Sequence, residues 1–203
     1  MKRLKLLFDS LELEKIGTKR KYYLKGQIFY ECSPLTFERH VSVVVCTARK
    51  LTLDILKHDI DTIKSFPFFT DIVVVVGSES DKNELKEAFK GVFIKVVVND
   101  DVLDTVYTSI KIGMRAVSTR SSLIVLLFGG ETCLKKEILI ALLERAMHSD
   151  KVIFVPKFGE KRGHPLVFSK RAFSDLLSLR KEKGLPYLLR KFSKQIDEVT
   201  VKN

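Results

Sequence analysis

Four short segments hold the groups that chemistry on a phosphate requires. Gly77 opens a Gly-Ser-Glu-Ser-Asp run, Asn99-Asp100-Asp101 sets an amide beside two carboxylates, and Gly129-Gly130-Glu131-Thr132 joins permissive backbone to an acid. Further on, Arg162-Gly163-His164-Pro165 brings a cation and an imidazole next to a turn. Glycine amides and helix N-termini cradle phosphate. Mg²⁺ takes one or two carboxylates and completes its shell with phosphate oxygens. These segments are therefore the expected phosphate-binding places (Gly77, Asn99, Gly129, Gly130), with Asp100 and Asp101 as metal carboxylates. The same residue types also build turns and helix caps.

Such groups act only if the fold brings them together. Val41 to Cys46 is a β-branched run without alternation, as a strand covered on both faces should be. Ile72 to Val76, Val92 to Val98 and Leu123 to Phe128 repeat the pattern. Between the strands, Ile55, Ile60 and Ile63 fit a helix ended by Pro67. A second helix is expected after Gly77, with Asp81 and Glu84 at capping-box spacing. Leu103, Val106, Tyr107, Ile110, Met114 and Val117 predict a third over about 101–117, and Leu134 to His148 a fourth.

Strand and helix thus alternate four times, which implies right-handed crossovers and a three-layer α/β fold with a mainly parallel sheet. Ligands of such sheets bind beyond the strands' carboxyl ends. Those ends are Thr47-Ala48-Arg49, Gly77 to Asp81, Asn99 to Asp101 and Gly129 to Thr132. A C-terminal β-hairpin follows, from Val152 to Pro156 and from His164 to Phe168. Helices around Phe173–Arg180 and Leu188–Phe192 come next, and a last strand over 196–201.

The composition suits a globular chain. At 203 residues, 45% apolar and 30% charged, residues 1–203 are expected to form one domain, with 1–40 of uncertain membership. No apolar run approaches the roughly 18–20 residues that cross a bilayer, and acids at Asp9, Glu12 and Glu14 interrupt any signal-peptide core. A cytoplasmic protein without a membrane partner is expected. Cys32, Cys46 and Cys133 lack metal or disulfide spacing and read as buried thiols. His40, His58 and His148 stand in no triad or ligand spacing. The net charge of +11 fits nucleotide or phosphate partners and leaves RNA or DNA binding open. The oligomeric state is open as well.

Arg162-Gly163-His164-Pro165-Leu166-Val167-Phe168 with Phe173-Ser174-Asp175-Leu176-Leu177 resembles the C-terminal half of the MobA-like nucleotidyltransferases, in particular the molybdenum cofactor cytidylyltransferase branch. Asn99 ends a strand as in that family. Ser109-Ile110-Lys111-Ile112-Gly113 resembles its Ser-Leu-x-x-Gly helix, and Leu126 to Thr132 stands at its Leu-Leu-Gly-Asp-x-Pro motif. The resemblance implies a Rossmann-like nucleotidyltransferase fold. It implies transfer of a nucleoside monophosphate from CTP or GTP to a pterin phosphate of the molybdopterin type, with Mg²⁺ and release of pyrophosphate. It assigns Ser109 to the nucleotide and Arg162, Gly163, His164 and Pro165 to the acceptor.

Three family pieces are altered. If Leu6-Leu7-Phe8 is the first strand, Lys21 becomes the catalytic lysine that neutralises the β- and γ-phosphates, although Asp9-Ser10-Leu11-Glu12 replaces the small residues of the phosphate loop. If Val41 to Cys46 is the first strand, residues 1–40 are an extra unit and Lys21 is one exposed lysine among many. Gly130 stands where the family has its metal-binding Asp, leaving Glu131 as the nearest carboxylate. The family's late acidic motif has no counterpart up to Asn203. A catalytically degenerate nucleotide- or cofactor-binding protein of the same fold is the alternative to an active transferase.

Overall fold

The computed structural model describes residues 12–16, 19–24, 27–30, 40–47, 52–66, 69–101, 106–129, 134–180 and 182–201. The chain divides into two compact units, Met1–Glu38 and Arg39–Asn203. The first unit contains an antiparallel sheet of β1 (Glu12–Ile16), β2 (Lys19–Leu24) and β3 (Gln27–Tyr30). Lys21 lies in its central strand, in register with Glu14 and Tyr30.

The second unit is built on an eight-stranded sheet. Its strands are β4 (His40–Thr47), β5 (Phe69–Val76), β6 (Lys95–Val98), β7 (Ser121–Gly129), β8 (Ile153–Phe158), β9 (Lys161–Arg162), β10 (Leu166–Ser169) and β11 (Ile196–Thr200). They lie in the order β11-β8-β10-β7-β4-β5-β6, with β9 on β8. β4 pairs in parallel with both β5 and β7, and β10 is the antiparallel insertion between β7 and β8. Among the described residues, Val41 to Cys46 lies in the first strand of this sheet; Leu6-Leu7-Phe8, on which the other alignment rests, lies outside the described residues.

Helices cover both faces, which is why the strands read as unbroken apolar runs. Val41, Val43 and Val45 of β4 pack under α1 (Leu53–Lys64), α2 (Glu79–Ala88) and α4 (Lys136–His148). Val44 and Cys46 face the other layer, made by α3 (Val106–Ala116), α5 (Phe173–Leu177) and α6 (Leu185–Lys191). α3 approaches very closely because of Gly113. A Cβ there would sit 2.3 Å from Val44 Cγ1 and 3.1 Å from Val75 Cγ2.

Some boundaries differ from expectation. The cap of α2 is Ser78, whose Oγ accepts the Asp81 N–H at 3.1 Å, so Asp81 lies inside the helix and is not its cap. β6 starts at Lys95, three residues after Val92, because Gly91 takes φ +80° and a turn follows in which Ile94 N–H reaches Val92 O. The expected hairpin forms, but its return strand comes in two pieces, β9 and β10. Gly163-His164-Pro165 separates them, with a cis His164–Pro165 peptide.

Candidate functional site

Chain order runs β4, β5, β6 to one side of the sheet and then crosses to β7 on the other side of β4. The strand order therefore reverses between β4 and β7, where open α/β sheets bind their ligands. Thr47 and Gly129, the last residues of these strands, are register partners. Gly129 is required there: a Cβ would lie 3.0 Å from Val45 Cγ1 and 3.3 Å from Thr47 Cγ2. Thr47 turns its hydroxyl into the sheet and donates to Val75 O at 2.9 Å. Two connections consequently leave the sheet side by side. Ala48-Arg49-Lys50-Leu51 leads to α1, and Gly130-Glu131-Thr132-Cys133 leads to α4; both lie outside the described residues, as do the expected Gly130 and Glu131.

The far ends of both connections are held. Thr52 precedes α1 without giving it a side-chain cap, so the first-turn N–H groups of that helix are not taken by it. Asp59, buried to 1% exposure in α1, accepts the backbone N–H of Leu134 at 2.7 Å with Oδ1. Its Oδ2 is buried and has no hydrogen-bond partner among the described residues. Burial pushes this carboxyl up from its ordinary value, against the Leu134 N–H and His58, which work to lower it.

On the β5–β6 side a cleft of about 590 Å³ is lined by Gly77, Ser78, Glu79, Lys82 and Asp100, with Val96 to Val98 as its floor. The nearest atom to a Cβ placed on Gly77 would be Asp81 Oδ2 at 4.0 Å, so that backbone is approachable. Lys82 pairs with Glu79 at 2.9 Å. Asn99 is buried at the end of β6. Its N–H donates to Val76 O at 2.8 Å, Nδ2 donates to Ser109 Oγ at 2.9 Å, and Oδ1 accepts the Asp101 N–H at 3.4 Å. Asn99 and Ser109 thus come together, and their bond joins the tip of β6 to the first turns of α3. Asp100 and Asp101 are exposed beside them.

Beyond β7 lies a second pocket, of about 300 Å³. Tyr107, Phe128, Val155, Leu166, Leu185 and Leu189 form its walls, with Arg162, Gly163 and His164 also lining it. Gly163 stacks on Phe158, since a Cβ would lie 2.5 Å from that ring, and its N–H donates to Pro156 O at 2.9 Å. Pro165 is buried and His164 exposed, its ring edge-on to Phe128 with centroids 4.7 Å apart. Arg162 contacts Glu198 Oε1 through Nε at 2.8 Å and Nη2 at 2.7 Å, and Lys157 reaches Glu198 Oε2 at 3.3 Å. Arg162 first, then Lys157, hold the Glu198 carboxyl below its usual range against the cost of desolvation.

The sequence model of the MobA-like NTP transferase domain matches residues 52–199. The chain belongs to that family. No curated protein matches it in sequence. Among solved structures, the MobA-like domain described here is similar to the manganese complex of Rv0371c from Mycobacterium tuberculosis H37Rv. The TM-score is 0.67 at 22% identity, over 81% of this chain and 89% of that one. It is similar to the 4-diphosphocytidyl-2C-methyl-D-erythritol synthase of Anaerococcus prevotii DSM 20548, with TM-score 0.67, 13% identity, and 84% and 91% covered. A cytidylyltransferase from Leptospira borgpetersenii serovar Hardjo-bovis gives TM-score 0.60 at 14% identity, covering 82% and 77%. These likenesses establish the fold.

The family match begins at residue 52, just past the first connection. Sequence reading notes Arg49 at the tip of β4 and leaves Lys50 unassigned. It also missed Asp59, whose signal was present: a carboxylate on the same helical stripe as Leu56, Ile60 and Ile63.

Proposed function

We propose that this MobA-like domain binds CTP or GTP across the carboxyl ends of β4 to β7 and transfers its nucleoside monophosphate to an acceptor phosphate. The observation that carries this reading is the Thr47–Gly129 register at the point of strand reversal. It sends out two connections together, one bearing Arg49 and Lys50, the other two successive glycines counting Gly129. Cations and backbone amides at a helix N-terminus are what a triphosphate requires. Gly77, Asn99 and Ser109 would take the nucleotide on the β5–β6 side, and Gly130 the phosphates on the β7 side. Arg49 and Lys50 would supply the cationic charge that neutralises the phosphates there. The relatives titled synthase and cytidylyltransferase support the reaction class, and the manganese complex supports a divalent cation.

The donor set fits Mg²⁺, an ion that needs few protein ligands. Asp100 and Asp101 offer exposed carboxylates at the β6 tip, and Glu131 follows in sequence on the β7 side. When bound, the ion would neutralise charge on the α-phosphate. An oxygen of the acceptor phosphate forms the new bond to the α-phosphorus as the bond to the β-phosphate oxygen breaks, and that electron pair leaves with pyrophosphate. Arg162, Gly163, His164 and Pro165 would face the acceptor, for which the family resemblance implies a pterin phosphate. Nucleoside triphosphates are a cytosolic resource, so this reading carries a cytoplasmic location with it.

A second reading, nucleotide binding without transfer, is favoured by Gly130, which has no side-chain oxygen where the family has its Asp. Among the described residues no group of three or more His, Cys, Asp or Glu is placed to hold a metal. Pyrophosphate release separates the two. Full chain, CTP or GTP, Mg²⁺ and a phosphomonoester acceptor should yield pyrophosphate in step with acceptor consumption. Saturable nucleotide binding with no pyrophosphate would establish the second reading.

A further inference from the structure

The pocket beyond β7 has a chemical character that the family resemblance does not supply. Among the described residues its walls are aromatic and aliphatic, and no carboxylate lines it. The side-chain polar groups at its surface are the Tyr107 hydroxyl, the His164 ring and the Arg162 guanidinium. A pterin carries several ring nitrogens, an amino group and a carbonyl, each of which loses its water on entering and needs a partner. Three side-chain groups do not meet that demand. An apolar body makes no such demand and gains by leaving water.

The aromatic walls are fixed in place. Tyr107 lies against Gly184, where a Cβ would approach its ring to 2.3 Å, and His164 stands edge-on to Phe128. Glu198 engages Nε and Nη2 of Arg162, which orients the guanidinium and leaves Nη1 for an anion. Tyr107 is two residues from Ser109, whose Oγ is bonded to Asn99 at the β6 tip. One end of α3 therefore serves both the pocket and the nucleotide side.

Resting on the nucleotidyltransferase reading, we infer that this pocket holds the acceptor's body and that the acceptor is a phosphomonoester of an apolar, aromatic or branched aliphatic group, its phosphate at Arg162. Glu198 is a positioning residue for that contact.

The test is calorimetric titration of the full chain with 1-naphthyl phosphate, ribose 5-phosphate and inorganic phosphate, and separately with CTP and Mg²⁺. The naphthyl ester should bind at least tenfold more tightly than the other two phosphates. Leu189→Phe, which narrows the pocket, should weaken it at least tenfold. Arg162→Gln should weaken 1-naphthyl phosphate and leave 1-naphthol unchanged. Should Leu189→Phe not fold, Tyr107 and His164 ring proton shifts on adding 1-naphthyl phosphate to the unsubstituted protein report the same occupancy. Equal affinity for the three phosphates, or naphthyl binding that ignores both substitutions and leaves those rings unshifted, overturns the inference. Nucleotide binding without naphthyl binding overturns it and leaves the proposed function standing. Naphthyl binding without nucleotide binding supports the pocket's chemistry and removes its role as acceptor site.

Discussion

Asp59 Oδ1 accepts the backbone N–H of Leu134 at 2.7 Å, tying α1 to the residue at which the chain from Gly129 re-enters the described fold. Asp59→Ala leaves that buried N–H without its partner and should cost about 1–3 kcal/mol. Asp59→Asn keeps an acceptor oxygen and removes the charge. Because burial raises this carboxyl, its ionisation lowers stability as pH climbs from the ordinary 3.8 through the raised folded value. Asp59→Asn should therefore gain on the parent as pH rises from about 3.8 to neutral. Denaturant unfolding across that range checks this, and a constant difference would mean that Asp59 titrates normally.

Asp71 behaves in the opposite sense. Burial disfavours its charge, but Lys95 Nζ at 2.8 Å, the Ser118 N–H at 2.8 Å and Ser42 Oγ at 3.3 Å outweigh that and hold the carboxyl below its ordinary value. Its stabilisation is present above 3.8 and lost as pH falls through the lower folded value. Asp71→Asn should destabilise by about 1–3 kcal/mol at neutral pH, and the gap should close in strong acid. A gap that widens on acidification would contradict the assignment.

Gly113 sits on α3 at the point of closest approach to β4 and β5. Gly113→Ala forces a methyl into Val44, an overpacking cost of about 1–3 kcal/mol, set against roughly 1 kcal/mol of helix propensity gained. Thermal unfolding should show a lower Tm. A rise would mean that α3 can retreat freely, and the Asn99–Ser109 bond with it.

How much of this could be read in advance depends on whether a residue's role is local. Periodicity placed β4, β5, β7 and the helices between them, because burial on both faces writes itself into consecutive Val, Ile and Leu. Asn99 and Ser109 were each legible as part of a family pattern, as was the Arg162 turn, but not the bond between the two. Strand order was not. Whether Leu6–Phe8 or Val41–Cys46 leads the sheet depends on long-range pairing that leaves no local mark, so the role of Lys21 stayed open. Ser78 displaced Asp81 as cap because its hydroxyl, three residues earlier, accepts the Asp81 N–H and starts the helix there. Glu198 showed nothing in sequence of its hold on Arg162.

The glycine at position 130 is open to a direct test of the proposed metal chemistry. Gly130→Asp restores a carboxylate at the family's position and should tighten Mg²⁺-dependent nucleotide binding several-fold while leaving Mg²⁺-free binding unchanged or weaker. Isothermal titration in both conditions reads this. Equal affinities with and without the ion would show that the metal sits elsewhere.

The central claim is that the ends of β4 and β7 cradle a triphosphate, and the melting temperature of the full chain with CTP or GTP, with and without Mg²⁺, tests it most directly. At a hundredfold its Kd a ligand stabilises the folded state by about 2.7 kcal/mol, a rise of roughly 5–10 °C for a chain of this size. The account predicts such a rise with CTP or GTP and Mg²⁺, largely abolished in an Arg49→Ala, Lys50→Ala double variant. No shift with either nucleotide at millimolar concentration, or a full shift in the double variant, would contradict it.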